Sequence, residues 1–286
     1  MPELPEVQAL TTGLAGLIVG RRLTAVELAS FSALKTVEPA IGDLTGRVVA
    51  GVERRGKMVC FDTGGLWLVV HLARGGWITW YSTAPAATAR PSRSKVALRA
   101  RVEGGGGFDI TEMGTEKRLA LWVVASLEDV PPILALGVDP LGPDFTVERL
   151  GDLLGGARAT LKTALTTQSL IAGVGNAYSD EALHRARLSP FKRADTLDVD
   201  ALARLHAAVV GVLGEAVERS SSLGIEALKG DKKRAMQVHG RTGEACPACG
   251  DTIRQVSYAT KSLQYCPICQ TGGKILADRR LSRLLK

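Results

Sequence analysis

Four cysteines near the end of the chain have the spacing of a metal site. They form two Cys-x-x-Cys pairs separated by 16 residues: Cys246 and Cys249, then Cys266 and Cys269. Two such pairs can place four thiolates tetrahedrally around Zn²⁺, about 2.3 Å from the metal. Because cysteine would fill every coordination position, the pattern predicts a structural zinc rather than a catalytic one. The alternative is four cysteines without a metal. The fifth cysteine, Cys60, is predicted to be an inert thiol on a strand.

The N-terminus, Met1-Pro2-Glu3-Leu4-Pro5-Glu6, could supply a nucleophile. Removal of a methionine before proline leaves the secondary amine of Pro2 as the terminal group. An α-amino group has an ordinary pKa of roughly 8, and a following helix N-terminus opposes its protonation. Such an amine can attack an electrophilic sugar carbon and form an iminium. Glu3 and Glu6, one helical turn apart, could transfer protons beside it. The alternative interpretation is simply a capped helix start.

The elements that would position these residues change in type along the chain. Pro5 to Val19 has the apolar spacing of a helix, and helical spacing returns after residue 145. Between them, residues 22–126 contain short β-branched or aromatic segments, a pattern typical of a sandwich or barrel. Pro131-Pro132 and residues 137–143 mark a boundary. The predicted strands are Val48–Arg55, Met58–Asp62, Leu66–Leu72, Ile78–Tyr81, Val96–Val102 and Leu119–Val124.

Positive charge is concentrated at one end of this chain of 286 residues. Residues 1–230 carry 25 Lys and Arg against 25 Asp and Glu, whereas residues 231–286 carry 11 against 4, which gives the whole net charge of +7. A basic module on a neutral body predicts a polyanionic partner, although a solvated basic end without a partner is the alternative. The chain has no membrane-length apolar run, no signal-peptide layout and no even set of cysteines, which predicts a cytoplasmic protein.

Five short motifs occur in a fixed order along the chain. They are Pro2-Glu3-Leu4-Pro5-Glu6-Val7, Arg54-Arg55-Gly56-Lys57, Leu141-Gly142-Pro143-Asp144-Phe145, Lys162 followed by Gly173-Val174-Gly175-Asn176-Ala177-Tyr178, and Val238-His239-Gly240-Arg241-Thr242-Gly243 before the cysteines. In these motifs the chain resembles the family of formamidopyrimidine-DNA glycosylase and endonuclease VIII. The resemblance implies an α+β fold: an N-terminal helix plus β-sandwich, then a helix–two-turn–helix domain with a C-terminal zinc ribbon. The expected divisions are a catalytic domain at 1–130, a linker at 131–145, the helical domain at 146–239, the ribbon at 240–270 and a basic tail at 271–286.

The resemblance also implies roles for individual residues. Pro2 resembles the nucleophile that attacks C1′ of the damaged nucleotide, and Glu3 the acid that assists opening of the deoxyribose ring. Glu6 resembles a supporting carboxylate, and Lys57 a hairpin lysine that contacts phosphate and aids catalysis. The implied partner is damaged DNA, the cofactor one structural Zn²⁺, and the expected state a monomer associated with the nucleoid. The implied DNA-binding residues are His71, Arg74, Lys162, Asn176, Tyr178 and Lys261.

The implied activity is excision of damaged bases, followed by strand cleavage at the abasic site through a Schiff base of Pro2. Three departures from the family pattern leave alternatives open. Arg74 stands where the family has a void-filling methionine, the loop 112–118 lacks recognisable intercalating residues, and Lys261 replaces an arginine. The alternatives are an AP lyase with little glycosylase activity and a non-catalytic DNA-binding member. Because extruding a stacked purine is costly, oxidised pyrimidines and abasic sites are expected to be preferred over 8-oxoguanine opposite cytosine.

Overall fold

The chain is divided into two compact units. The computed structural model describes residues 1–83, 95–225, 227–258 and 262–277. One unit contains Met1–Ala135 and Val217–Lys229, and the other contains Leu136–Ala216 and Gly230–Lys286. The segment Val217–Lys229 lies within the residues predicted for the helical domain. It belongs to the first unit because Ile225 and Leu228 are buried in that unit's core. A Cβ added at Gly13 would lie 2.8 Å from Cγ1 of Ile225, so a glycine there leaves room for this contact.

Helix α1, Leu4–Ile18, begins the first unit and confirms the predicted N-terminal helix. Pro5 stands in its first turn, where a missing N–H leaves no helical hydrogen bond unmade. The side chains at helical spacing are buried in the core of the unit, as their pattern predicts. These buried residues are Leu4, Val7, Leu10, Leu14 and Ile18.

Within the described residues of the first unit, eight strands form two antiparallel sheets of four strands each. Phe61 and Phe108 come from different sheets and stack in the core with ring centroids 5.1 Å apart, so the fold is a sandwich rather than a barrel. One sheet has the order β1-β6-β7-β5, with β1 at Leu23–Leu28, β5 at Gly76–Tyr81, β6 at Val96–Val102 and β7 at Gly107–Glu112. The other has the order β2-β3-β4-β8, with β2 at Gly51–Arg55, β3 at Met58–Asp62, β4 at Trp67–His71 and β8 at Ala120–Val124.

The remaining elements are mainly helical. Helix α2 spans Pro131–Leu134, α3 Val147–Gly155, α4 Leu161–Thr166, α5 Asn176–Arg185, α6 Val199–Ser221, α7 Leu228–Ala235 and α8 Pro267–Thr271. Helices α3 and α4 begin at threonines whose hydroxyls accept a backbone N–H of the first turn. Strands β9, Arg254–Ser257, and β10, Ser262–Tyr265, form an antiparallel hairpin between the two cysteine pairs. The structure therefore confirms the predicted order of helix, sandwich, helical region and C-terminal hairpin.

None of the helices in the described part of the chain combines the length and the apolar character that a bilayer crossing requires.

Candidate active site and nucleic-acid interface

The residues predicted to do chemistry at the N-terminus are enclosed at the start of α1. Pro2 is buried, and Glu3 and Glu6 are only 2% and 3% exposed. The backbone N–H of Glu3 donates to Oε2 of Glu6 at 2.8 Å, which occupies one of the helix N-terminal donors. The carboxylate of Glu6 therefore fixes the backbone one residue after Pro2. This arrangement gives Glu6 a positioning role and leaves the chemical roles of Pro2 and Glu3 as predictions.

Lys57 lies in the two-residue turn of the β2–β3 hairpin, in the same unit as the N-terminus. Arg55 pairs with Met58 across this turn. Gly56 has a φ of +55°, a backbone conformation that glycine adopts readily and residues with a side chain rarely adopt. Arg54 joins the hairpin to α1, because its Nε donates to Oε1 of Gln8 at 2.9 Å while its Nη1 donates to the carbonyl of Gly56 at 3.2 Å. Lys57 itself is 8% exposed, so its ammonium lies in a partly desolvated environment.

His71 is the last residue of β4 and pairs with Met58, next to Lys57 in sequence. Burial, and after it the positive charge of Lys57, lower the pKa of His71. The structure therefore brings the predicted residues Lys57 and His71 into electrostatic contact and favours the neutral imidazole. A neutral imidazole beside a lysine can donate one hydrogen bond without adding repulsion between two cations.

The turn after β4 presents Arg74, which is exposed. The backbone N–H of Met113 donates to the carbonyl of Gly75 at 2.9 Å, which joins this turn to the loop after β7. A Cβ added at Gly75 would lie 2.1 Å from the carbonyl oxygen of Met113, so only glycine fits at this contact. Met113 is 42% exposed, and sequence reasoning missed it. The available signal was a lone apolar residue in the otherwise polar loop 112–118.

Two cations of this loop, Lys117 and Arg118, interact with other residues of the loop itself. Lys117 Nζ donates to the carbonyl of Glu112 at 2.9 Å, and Arg118 Nη2 lies 3.1 Å from Oε2 of Glu116. The buried carboxylate of Glu112 accepts the backbone N–H of Arg118 at 2.6 Å and that of Leu119 at 2.8 Å. These bonds fix the loop and leave Met113 as its exposed apolar side chain.

In the second unit, the glycine turn before α5 is held by Gln168. The amide of Gln168 donates to the carbonyls of Thr166 at 3.0 Å and Val174 at 2.8 Å, and its oxygen accepts the N–H of Gly173 at 3.0 Å. Asn176, the first residue of α5, donates from Nδ2 to the carbonyl of Ser262 in β10 at 2.7 Å. The turn and the ribbon hairpin are thus connected directly. A helix N-terminus with such a turn is a suitable place for a phosphate.

Lys162 and Tyr178 are buried rather than presented on a surface. The Nζ of Lys162 donates to the carbonyl of Asn176 at 2.6 Å, to Oγ of Ser179 at 2.8 Å and to Oδ1 of Asp180 at 2.6 Å. Three acceptors saturate the three donors of an ammonium. The predicted direct phosphate contact needs an exposed ammonium, whereas the ammonium of Lys162 is buried against α5. In this position Lys162 stabilises α5. The ring of Tyr178 is covered by the ammonium of Lys232, 4.6 Å from the ring centroid.

We expect Lys162→Met to destabilise the second unit more than it weakens DNA binding. The change would leave the buried carboxylate of Asp180 without its cation, a loss of about 3–5 kcal/mol when one partner of a buried ion pair is removed. Urea unfolding monitored by circular dichroism measures this loss. The slope of log affinity against log salt should stay the same. A slope reduced by about 0.9 with unchanged stability would instead support a phosphate contact.

Two acidic residues of α5 that sequence reasoning missed hold the segment before the ribbon. The buried carboxylate of Glu181 accepts the backbone N–H groups of Gln237, Val238 and His239, at 2.8, 3.0 and 2.8 Å. Asp180, also buried, receives Nδ1 of His239 at 2.7 Å and the N–H of Gln264 at 3.2 Å on Oδ2. The signal was present in the sequence, because two adjacent acids in a segment expected to bind phosphate are unfavourable unless they are paired.

The four cysteines predicted as ligands meet at one point. The sulfur atoms of Cys246, Cys249, Cys266 and Cys269 all lie within 4.8 Å of one another. The distance is 3.9 Å between the sulfurs of Cys246 and Cys269 and 3.3 Å between those of Cys249 and Cys266. Tetrahedral zinc bonded to four sulfurs at about 2.3 Å would separate them by about 3.8 Å. The cluster could therefore bind a metal, and the donor set fits zinc.

His184 lies beside this cluster and was not recognised from the sequence. It stands in the last turn of α5, is 9% exposed, and places Nε2 at 3.2 Å from Sγ of Cys246. Burial, and after it the charge of Arg187, lower the pKa of His184. The remaining predicted DNA-binding residue, Lys261, and residues 278–286 of the predicted basic tail lie outside the described residues.

Comparison with known proteins gives matches across both units. The family model described as Formamidopyrimidine-DNA glycosylase N-terminal domain matches residues 1–113, and that of the Formamidopyrimidine-DNA glycosylase H2TH domain matches residues 136–226. An uncharacterized formamidopyrimidine-DNA glycosylase-like protein of Mycobacterium tuberculosis is 54% identical over 156 residues, which are 54% of this chain and 98% of that protein. Formamidopyrimidine-DNA glycosylase of Symbiobacterium thermophilum is 37% identical over 300 aligned positions, which cover 98% of this chain and 93% of that protein.

A similar solved structure is that of Lactococcus lactis formamidopyrimidine-DNA glycosylase, bound non-covalently to DNA containing an AP site. Its TM-score is 0.82 and its sequence identity 27%, and the match covers 94% of this chain and 99% of that chain.

Proposed function

Because this chain belongs to the formamidopyrimidine-DNA glycosylase family, we propose that it excises damaged bases from DNA and cleaves the strand at the abasic site. The family consists of enzymes that combine glycosylase and AP lyase activity. The observation that carries the proposal is the enclosed N-terminus. Pro2 is buried there, and the backbone of the next residue, Glu3, is held by the hydrogen bond from its N–H to Glu6. A nucleophile needs such a fixed position to attack a single sugar carbon.

The proposed first step is attack of the Pro2 amine on C1′ of the damaged nucleotide. The nitrogen–C1′ bond forms, the bond between C1′ and the base breaks, and the base leaves with a proton. Glu3 then protonates O4′, which opens the deoxyribose ring and leaves an iminium between Pro2 and C1′. Loss of a proton from C2′ expels the 3′ phosphate, and water finally hydrolyses the iminium and releases the Pro2 amine. The low exposure of Glu3, 2%, places its carboxyl in the enclosed N-terminal region beside Pro2.

Glu6 and Lys57 support this chemistry from the side. Glu6 sets the backbone next to the nucleophile through its bond to the Glu3 N–H, at 2.8 Å. Lys57, in the hairpin joined to α1 through Arg54 and Gln8, is proposed to contact a phosphate beside the lesion. His71 is neutral and close to Lys57, so it can donate a further hydrogen bond to the same phosphate.

The second unit is proposed to hold the DNA backbone through the turn before α5. The second N–H of the Asn176 amide and the cation of Lys232 over Tyr178 are proposed as phosphate ligands there. Lys261 is proposed as a further phosphate contact, and as a lysine it contributes charge rather than the bidentate geometry of arginine. Lys162 contributes indirectly, since its three hydrogen bonds fix α5.

We propose that the four-cysteine cluster binds one structural Zn²⁺. The sulfur–sulfur distances of 3.3 and 3.9 Å support a tetrahedral metal, and a site made only of cysteines leaves no position for substrate or water. When bound, zinc would supply folding free energy to the ribbon rather than a chemical step.

We also propose that the protein acts as a monomer of 30.2 kDa at the nucleoid in the cytoplasm. The C-terminal charge supports attraction to DNA.

The lesion preference is proposed to follow from the turn of Arg74 and the loop of Met113. An arginine in place of an apolar wedge recovers less of the unstacking cost, which is a few kcal/mol. We therefore expect single-turnover excision to be faster for an oxidised pyrimidine, and cleavage faster for an abasic site, than for 8-oxoguanine opposite cytosine. Matched duplexes that differ only in the lesion test this order. Fastest cleavage of 8-oxoguanine opposite cytosine would contradict it, whereas abasic-site cleavage alone would indicate the alternative of an AP lyase with little glycosylase activity.

Met113 is the apolar group that could still fill the space left by an extruded base. Apolar side chains such as methionine act as wedges between base steps in other DNA-binding proteins. We expect Met113→Ala to lower excision from duplex DNA by about 5- to 30-fold, which corresponds to about 1–2 kcal/mol of buried apolar surface. Excision from single-stranded DNA should change little, because no stacked neighbour has to be separated. Thr115→Ala, at an exposed position of the same loop, is the matched control. Equal losses on both substrates would contradict a wedge role.

A further inference from the structure

Cys246 differs from two other cysteines of the four-cysteine cluster because its sulfur contacts a side chain, that of His184, rather than a backbone N–H. Two sulfurs receive backbone N–H donors from the ribbon itself: Cys269 N–H points to Sγ of Cys266 at 3.5 Å, and the N–H of Asp251 bonds to Cys249. Cys246, the first ligand, has the side chain of His184 from outside the ribbon at 3.2 Å. Both residues belong to the second unit.

The chemistry of a bound metal decides which atom donates in this pair. A free thiol could donate to Nε2, or the imidazole could donate to the sulfur. A thiolate that binds a metal has no proton and can only accept. At 3.2 Å, a lone pair on Nε2 would then face a lone pair on the sulfur. The contact is favourable in the metal-bound protein only when Nε2 carries the proton.

The surroundings of His184 keep its ring in place for this bond. The side chain is buried in the last turn of α5. Helix α5 is attached to the ribbon at its first residue, where Asn176 Nδ2 donates to the carbonyl of Ser262 at 2.7 Å, and in its middle, where Asp180 accepts the N–H of Gln264 at 3.2 Å. Just beyond the helix, Gln270 Nε2 donates to the carbonyl of Leu188 at 3.0 Å. The imidazole is therefore held against the sulfur along a helix anchored on both sides.

We propose that His184 donates an N–H···S hydrogen bond to metal-bound Cys246 and so acts as a positioning residue of the metal centre, without being a ligand. The proposal rests on the proposed zinc site. Zinc with four thiolates carries a net charge of −2, and a donor to one thiolate offsets part of that charge and opposes dissociation of the sulfur. Removal of a residue that hydrogen-bonds to a metal ligand typically lowers metal affinity by 10- to 100-fold.

The test compares His184→Phe, which keeps an aromatic ring without a donor, with His184→Gln, which retains an N–H. Full-length proteins loaded with one zinc are mixed with a chelating dye, and the rate of zinc release is followed by absorbance. We expect release about 10- to 100-fold faster from His184→Phe and a rate close to wild type from His184→Gln. His206→Phe is the matched control, because His206 bonds the carbonyl of Phe145 in the same unit and touches no cysteine.

Two spectroscopic measurements separate the hydrogen bond from simple packing. In cobalt-loaded protein the thiolate-to-cobalt charge-transfer band should shift in His184→Phe and return in His184→Gln. In wild-type protein loaded with ¹¹³Cd, the Nε2 proton of His184 should show scalar coupling to the metal, a result that needs no variant to fold. Unchanged release and an unchanged band in His184→Phe, or a proton on Nδ1 only, would overturn the proposal. Wild-type protein that binds no zinc would overturn the zinc site itself.

Discussion

Blocking the amine of Pro2 with an uncleaved N-terminal extension should abolish the borohydride-trapped adduct with abasic-site DNA. An amide nitrogen has no available lone pair, so neither attack on C1′ nor an iminium can follow. The trapped protein–DNA species is measured by denaturing gel electrophoresis. The matched control is the same extended protein after a protease has removed the extension and left Pro2 as the first residue, which should restore trapping. Folding of both forms is compared by thermal unfolding.

Glu3→Gln provides the companion measurement at the same site. The glutamine keeps the shape of the side chain but cannot donate the proton to O4′. We expect base excision to fall by about 10²- to 10⁴-fold, the usual contribution of a general acid. Cleavage of a preformed abasic site should persist. Without a base, the deoxyribose is in equilibrium with its ring-opened aldehyde and does not need Glu3 to open the ring. Full-rate trapping by the extended protein would rule out Pro2 as the nucleophile, and undiminished excision by Glu3→Gln would rule out Glu3 as the acid.

Replacing Cys249 by serine should unfold the ribbon and abolish DNA binding. Three thiolates do not complete a tetrahedral zinc site, and structural zinc contributes about 10–16 kcal/mol of apparent binding free energy to such modules. The loss should reach DNA binding because the ribbon hairpin bonds directly to Asn176 through Ser262. Elemental analysis should give one zinc per wild-type chain and less in the variant, and fluorescence anisotropy with abasic-site DNA measures affinity.

Cys60→Ala is the matched control for this change. Cys60 lies in β3 of the sandwich and is not one of the four clustered cysteines. Burial raises its pKa to about 12, so the thiol is protonated and unreactive at neutral pH. Zinc content and DNA affinity should remain at wild-type values. DNA binding by the wild-type protein that survives complete removal of metal would refute the coupling between zinc and affinity.

Most features of the fold that were predicted correctly depend on short-range sequence patterns. Helix α1, the β2–β3 turn at Gly56 and the four-cysteine cluster depend on neighbours a few residues away or on a fixed spacing, and all three agree with the structure. Strands β1 and β7 were not predicted, although Phe108 and Ile110 of β7 alternate with polar residues in the usual pattern of a strand. Asp109 of β7 is buried only because Arg99 of β6 pairs with it at 2.6 Å, and such a partner is invisible to a local pattern.

The same limit applies to the candidate site. The motif around Asn176 indicated a phosphate site, but the sequence did not show that Lys162 would be enclosed by Asp180 and Ser179. Met113 and His184 become visible only when distant segments are folded together, at Gly75 and at Cys246. Residue type and spacing therefore predicted that the four cysteines meet at one point, whereas the chemistry of the N-terminus stays a prediction. Long-range contacts decide which charged side chains are available to DNA.

The first unit is assembled from two separate stretches of sequence, and this affects how the protein can be made. Ile225 and Leu228 enter the core that also contains Leu10 and Leu14, about two hundred residues earlier in the chain. During synthesis the sandwich therefore lacks part of its core until residue 229 has left the ribosome. A fragment cut at the boundary near residue 136 would expose apolar surface, even though it contains all eight strands of the sandwich. Ribosome-bound chains stalled before and after this point should differ sharply in protease resistance.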